Sequence, residues 1–251
     1  MAPAVVNARP HVAAGIVFAL PIEAGRFADR VREQRSIHAA GLTVHEGLIG
    51  DATVAWVVGG AGIDPATRAC RLLIDGHRPR LILTAGFAGA LSPDIARGGV
   101  VRPVRALRLG HGPLDLACSK ARDGARPLSI VTVDDVVSSA DARQRLAQET
   151  TADLVDMETW GVAAEAQSAG IACECIRVVS DTPREELPQE VSQLTAARSP
   201  WRRFGAALRT VGRRPSAALD LWQLWERAVV DSRTLADALE HRLATLPAML
   251  P

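Results

Sequence analysis

Short unbroken apolar runs alternate along this chain with stretches whose apolar residues recur at helical spacing. The run Val12–Leu20 is apolar throughout, as expected of a strand buried on both faces. Pro21–Arg32 reads as a helix, with Pro21 at N1 and Glu23 near its positive end. Shorter strands are predicted over Ser36–Ala39, Leu42–Leu48 and Ala52–Val58, with Gly50 and Asp51 marking a hairpin turn. Asp64 and Pro65 fit the N-cap and N1 of a helix reaching about Asp75. A buried strand follows at Arg80–Thr84 and empties into small residues, Ala85–Ala90, that suggest close backbone approach to a ligand or a helix. Val100–Val101 leads into another strand. Leu107–Pro127 is polar and punctuated by Gly and Pro, which predicts a loop or edge hairpin. Leu128–Val133 is strand-like, and Ser139 can cap a helix to about Glu149.

The stretch Leu154–Pro183 organises the remainder. An apolar run ends in Asp156, Met157 and Glu158, a small-residue helix closes at Gly170, and a second run from Ala172 ends in Ser180 and Asp181. In a parallel strand–helix–strand unit the carboxyl ends of both strands share one sheet edge, where ligands bind in open α/β folds. Glu158 and Asp181 should therefore converge, and Glu23 stands at the end of a strand too. Helix-start and turn-capping roles also explain each of these acids. Taken together, the alternation over residues 12–183 predicts an α/β three-layer sandwich, a mainly parallel but mixed central sheet flanked by helices, with C-terminal helices added.

Three regions follow from this pattern: a flexible tail over 1–11, an α/β domain over 12–188, and a helical extension over 189–251. In the extension, Trp201, Phe204, Leu208 and Val211 form one apolar stripe, and Ala218, Trp222, Trp225 and Val229 form another. The second is expected to dock on the sheet. Arginines surround the first, so 201–214 is a candidate for peripheral contact with an anionic membrane surface.

Composition narrows the function classes. At 48% hydrophobic and 23% charged residues the chain is ordinary for a soluble globular protein, and a net charge of +1 gives no reason to expect nucleic acid as a partner. The apolar run at Val12–Leu20 is too short to span a bilayer and has no small-residue cleavage site, so a cytoplasmic protein is expected. Four cysteines form no CxxC pair, and Cys173 and Cys175 should be buried thiols on one strand face. The histidines show no metal-ligand spacing, and no metal or cofactor is expected. Gly59-Gly60-Ala61-Gly62 allows backbone amides to approach an anion but matches no dinucleotide or Walker fingerprint, and a plain tight turn explains it equally.

Four segments in this order resemble the nucleoside phosphorylase and nucleosidase superfamily, most closely its methylthioadenosine and S-adenosylhomocysteine nucleosidases. They are GIVFALPIEA at Gly15–Ala24, LTAGFAGAL at Leu83–Leu91 followed by GGVV, VDMET at Val155–Thr159, and IRVVSD at Ile176–Asp181. The resemblance implies a homo-oligomer that cleaves the N-glycosidic bond of a purine nucleoside. It implies Asp181 as the acid for the departing base, with Ser180 beside it among the substrate-binding residues, and Glu23 as the carboxylate that activates water. It further implies Glu158 on the ribose hydroxyls, Met157 beneath the sugar, and backbone at Val136 and Val137 along the purine edge. Gly86 and Phe87 fall in the glycine-rich loop, where relatives commonly carry a polar residue. Phe87 favours water over phosphate as nucleophile, while Arg26 keeps phosphate open as a co-substrate. Burial of Asp181 could raise its pKa into the range a general acid needs. The short Leu107–Pro127 segment and the Trp- and Arg-rich extension look like the hopanoid-associated branch, which implies adenosylhopane as substrate and a place at the inner face of the membrane. Methylthioadenosine, S-adenosylhomocysteine or futalosine hydrolysis, and a non-catalytic nucleoside binder, remain as alternatives.

Overall fold

Unbroken burial along the first strand sets the architecture. Successive side chains of a strand face opposite sides of a sheet, so a strand buried at every position needs both faces covered. The computed structural model describes residues 12–117, 126–185 and 215–246, with side chains in the last stretch from residue 226 onward. Its strands are β1 (Ala14–Phe18), β2 (Arg32–Ala39), β3 (Leu42–Ile49), β4 (Ala52–Val58), β5 (Leu81–Ala90), β6 (Val100–Val101), β7 (Arg105–Leu107), β8 (Leu114–Asp115), β9 (Ser129–Thr132), β10 (Leu154–Asp156) and β11 (Ala172–Asp181). The helices among the described residues are α1 (Pro21–Ala28), α2 (Ile63–His77), α3 (Ala140–Thr150), α4 (Thr159–Ser168) and α5 (Pro215–Ala244).

One mixed sheet runs β2-β3-β4-β1-β5-β10-β9-β7-β8, and β11 lies parallel to β5 while pairing β6 on its other side. Ile16 and Phe18 of β1 enter one apolar cluster with Phe27, Trp56, Leu83 and Ile176, while Val17 enters a second with Ala69, Leu73, Ile82 and Val162. α1 and α5 cover the first face, and α2 and α4 cover the second. The expected three-layer α/β sandwich is therefore present. Cys173 and Cys175 are both buried in the second cluster, as their spacing predicts.

α5 docks as a C-terminal helix. It buries Leu235, Ala236, Leu239 and Leu243 in the first cluster, and its Arg242 forms a buried fork to Glu174 of β11 at 2.6 and 2.7 Å. Arg30 adds surface contacts to Asp237 and Glu240. The tail over 1–11, the stripe in 201–214 and the side chains of Trp222 and Trp225 lie outside the described residues. No helix among the described residues is long and apolar enough to cross a membrane.

Several boundaries differ from the sequence reading, each for a local reason. β2 starts at Arg32 rather than Ser36, because its residues are almost all exposed and the backbone ladder to β3 extends back to Arg32 without any apolar pattern to mark it. The N-cap of α2 is Gly62 at φ +104°, not Asp64. β5 does not stop at Thr84 but continues through Ala85–Ala90, where every residue except the half-buried Phe87 is small and buried. β10 and β11 are not adjacent parallel strands. β10 runs antiparallel to the end of β5, and β11 runs parallel to it.

Candidate active site

The end of β5 brings the separated acids together. Gly89 pairs with Val155 of β10 on one side and with Asp181 of β11 on the other. An added Cβ at Gly89 would lie 2.7 Å from Asp181 Oδ2, and one at Gly86 would lie 2.5 Å from Glu23 Oε1 and 2.6 Å from Arg177 Nη1. Small residues here let carboxylates and a guanidinium pack directly on the strand backbone. The convergence expected from a parallel unit thus occurs, but through contact of both strands with β5.

A cavity of about 210 Å³ opens at this point. Glu23, Glu158 and Asp181 all line it, together with Phe87, Val136, Val137, Met157 and Ser180. Two of the candidate residues do not. Gly86 is absent from the lining, and its function is to make room for Glu23 and Arg177. Arg26 is absent as well: its side chain is 43% exposed and pairs with Asp29 at 3.3 Å, because it follows Glu23 by less than a full helical turn and faces solvent. The phosphate role suggested for Arg26 thus finds no support in the lining of this cavity.

Glu23 is held by backbone. Its Oε2 accepts the N–H groups of Ala19 and Leu20 at 3.0 and 2.8 Å, and Oε1 accepts that of Phe87 at 2.9 Å. A carboxylate has about four acceptor sites, so one on Oε1 remains for a further donor. Burial raises its pKa above the ordinary glutamate range, against the opposing charge of Arg177 and these three hydrogen bonds.

Glu158 is the N-cap residue of α4 but leaves that helix end uncapped, and its Oε1 instead accepts the Gly62 N–H at 2.9 Å. The glycine-rich turn before α2 is thus fastened to the site. Burial, then the neighbouring Asp156 charge, pushes the Glu158 carboxyl up to about 8, with Arg177 opposing.

Beneath these acids lies a pair that the sequence reading missed. Arg177 of β11 is buried with Nη2 bonded to Asp156 Oδ2 at 2.6 Å and to the hydroxyls of Thr84 and Thr159 at 3.0 and 2.9 Å. Asp156 also accepts from Thr132 Oγ1 at 2.7 Å and from the Thr159 N–H at 3.0 Å, so it caps α4 in place of Glu158. The signal was an arginine inside a run otherwise buried on both faces, since such a cation needs a buried partner.

Asp181 is 7% exposed. Ser180 donates its hydroxyl to Asp181 Oδ1. Oδ2 lies 2.5 Å from Nη1 of Arg143, yet the angle makes no hydrogen bond, and this buried oxygen has no hydrogen-bond partner among the described residues. Arg143, also missed in the sequence, is the one cation among the described residues lining the cavity. Among the described residues no group of His, Cys, Asp and Glu is arranged to hold a metal ion.

A family model described as the phosphorylase superfamily matches residues 13–129 and 114–208. The chain belongs to the phosphorylase superfamily. Solved structures with this fold include the 5′-methylthioadenosine/S-adenosylhomocysteine nucleosidase of Helicobacter pylori, at TM-score 0.72 and 17% identity over 95% of this chain and all of that one, which was complexed with a pyrrolidine-based compound carrying an aminopyrrolopyrimidine. The futalosine hydrolase of the same organism matches at TM-score 0.71 and 16% identity, covering 93% of this chain and 97% of that one. The 5′-methylthioadenosine/S-adenosylhomocysteine nucleosidase of S. pneumoniae matches at 0.70 and 18%, covering 92% and 97%. At these identities the likeness establishes the fold. The superfamily segments named from the sequence carry Glu23, Glu158 and Asp181, all of which line the cavity.

Proposed function

We propose that this protein hydrolyses the N-glycosidic bond of a purine nucleoside, releasing the free base and the sugar. The observation that carries the proposal is the meeting of Glu23, Glu158 and Asp181 in one cavity with apolar walls. Such a bond breaks through an oxocarbenium-like state that needs a proton on the base and negative charge near the sugar. Asp181 donates that proton, and its buried Oδ2 lacks a hydrogen-bond partner that a purine nitrogen would supply. Water adds to the sugar carbon as the bond to the base breaks, and Glu23 takes the water's proton through its remaining acceptor site. Asp181 regains its proton from solvent before the next turnover. Glu158 receives the ribose hydroxyls, and Met157 packs beneath the ring.

Water is favoured over phosphate because both arginines near the acids already face carboxylates, Arg143 beside Asp181 and Arg177 on Asp156, and Arg26 is outside the cavity. A phosphate pocket needs cationic or hydroxyl donors free to turn to it. The cavity is at the small end for a ligand site and suits a base with its pentose, so a larger 5′ group lies outside it. The hopane of adenosylhopane would be such a 5′ group and would extend beyond the cavity, which the short Leu107–Pro127 segment leaves room for.

Release of the free purine base is measured by chromatography, as adenine from adenosylhopane and 5′-methylthioadenosine and as hypoxanthine from futalosine and inosine, with and without phosphate. Base release independent of phosphate is expected, with Asp181→Asn lowering kcat by about 10²- to 10⁴-fold. An absence of base release from every nucleoside would refute the reading and leave a nucleoside-binding protein. Dependence on phosphate would make it a phosphorylase, and turnover of the small nucleosides alone would remove the lipid assignment.

A further inference from the structure

The proposed acid is attached to a second element of the site through a buried cation that no superfamily segment named from the sequence contains. Arg143 lies in the first turn of α3, whose N-cap Ser139 accepts the Ala142 N–H at 3.2 Å. Its side chain is only 1% exposed, which requires an arginine to find partners inside the protein. It finds three. Nε donates to the Val137 carbonyl at 3.0 Å, Nη1 donates to the Thr182 carbonyl at 2.7 Å, and the same Nη1 lies 2.5 Å from Asp181 Oδ2.

These partners come from different parts of the chain but meet at one wall of the cavity. Val137 and Asp181 both line it, and Thr182 follows directly after Asp181. A guanidinium is planar, with its donors in a fixed fork, so the positions of its partners are set relative to one another as well as to it. A lysine at the same place brings the charge without the fork. Oδ2 meets Arg143 as a charge contact and not as a hydrogen bond, so its hydrogen-bonding capacity is left for a ligand.

We infer that Arg143 is a positioning residue that acts through Asp181, holding the acid and the Val137 backbone at a fixed separation so that a base seated along Val136 and Val137 presents its ring nitrogen to the carboxyl. This inference rests on the hydrolytic reading above. It assigns Arg143 no contact with the reacting atoms. Its effect belongs to the alignment of the transition state, where a displacement of about 1 Å can cost up to about 10²-fold in rate.

A double-mutant cycle tests it, with base release followed in the full chain, on whichever of the four nucleosides the wild type cleaves fastest, for the wild type, R143M, R143K, D181N and the R143M/D181N pair. The expected result is a fall in kcat of about 10- to 10²-fold for R143M with KM changed by less than about threefold, partial recovery in R143K, and a loss below about threefold when R143M is made in the D181N background. Equal losses in both backgrounds, or a rise in KM with kcat unchanged, would overturn the inference, because a scaffold role adds to the loss of the acid. Thermal melting of each variant accompanies the kinetics. If R143M does not fold, R143K in the two backgrounds is judged by the same criterion. Wild-type protein that releases base from none of the four nucleosides would overturn the hydrolytic reading and this inference together, whereas an active wild type with additive variants overturns this inference alone.

Discussion

Replacing Glu158 with glutamine isolates what a buried carboxyl costs the empty protein. The side chain is 7% exposed, accepts one hydrogen bond from the Gly62 N–H at 2.9 Å, and is pushed up to about 8 by burial and by Asp156. Because its folded-state pKa exceeds the ordinary glutamate value of 4.5, the unfolded chain releases the proton first. The stability associated with Glu158 is therefore complete below about pH 4.5 and is lost as pH rises towards about 8. Glutamine preserves size and leaves an oxygen for the Gly62 N–H, but it never ionises. A shift from 4.5 to about 8 corresponds to an upper bound of about 5 kcal/mol. Relaxation around the charge and water entering the cavity reduce the realised cost to about 2–4 kcal/mol. Urea unfolding at about pH 5 and about pH 8.5 measures it. The two proteins should agree within about 1 kcal/mol at the lower pH, and E158Q should be more stable by about 2–4 kcal/mol at the higher one. A stability gap independent of pH, or a wild type more stable than the variant at the higher pH, would refute the reasoning. The same variant should release base more slowly, since a site that strains the fold for function commonly trades stability against activity.

Other outcomes follow from the packing and the ion pairs. In G86A the new methyl group meets Glu23 and Arg177 at under 3 Å, so a loss of about 1–3 kcal/mol in thermal melting is expected, with a fall in base release as Glu23 is displaced. R242M strands Glu174 inside the β11–α5 interface and should cost about 3–5 kcal/mol in urea unfolding. R71A removes an equally well-formed fork to Glu165 at 2.7 and 2.8 Å, but from the surface, and should leave the urea midpoint nearly unchanged.

Much of the framework was legible in the residues. The continuous apolar run at Val12–Leu20 announces a strand covered on both faces and the mostly apolar run from Ala172 announces another strand, and β1 and β11 are buried along most of their length. Ser139 was read as an N-cap, and its hydroxyl accepts the Ala142 N–H. β2 was not fully legible, because its polar residues face solvent and carry no alternation to read. The extent of β5 was hidden for the opposite reason, since small residues signal a close approach without saying what approaches.

The site divides in the same way. Carboxylates at strand ends are visible in one dimension, and so Glu23, Glu158 and Asp181 could be named from the sequence. Which charges neutralise them could not, because Arg177 meets Asp156 and Arg143 meets Asp181 across 21 and 38 residues of chain, at distances that packing alone creates. What the amino-acid sequence determined by itself was the layer order and the three acids, through hydrophobic periodicity and local segments. The tertiary structure decided that β10 and β11 meet at Gly89 through β5, that Arg26 faces solvent, and that the Glu158 carboxyl is pushed upward, since each depends on burial and on partners supplied by other strands.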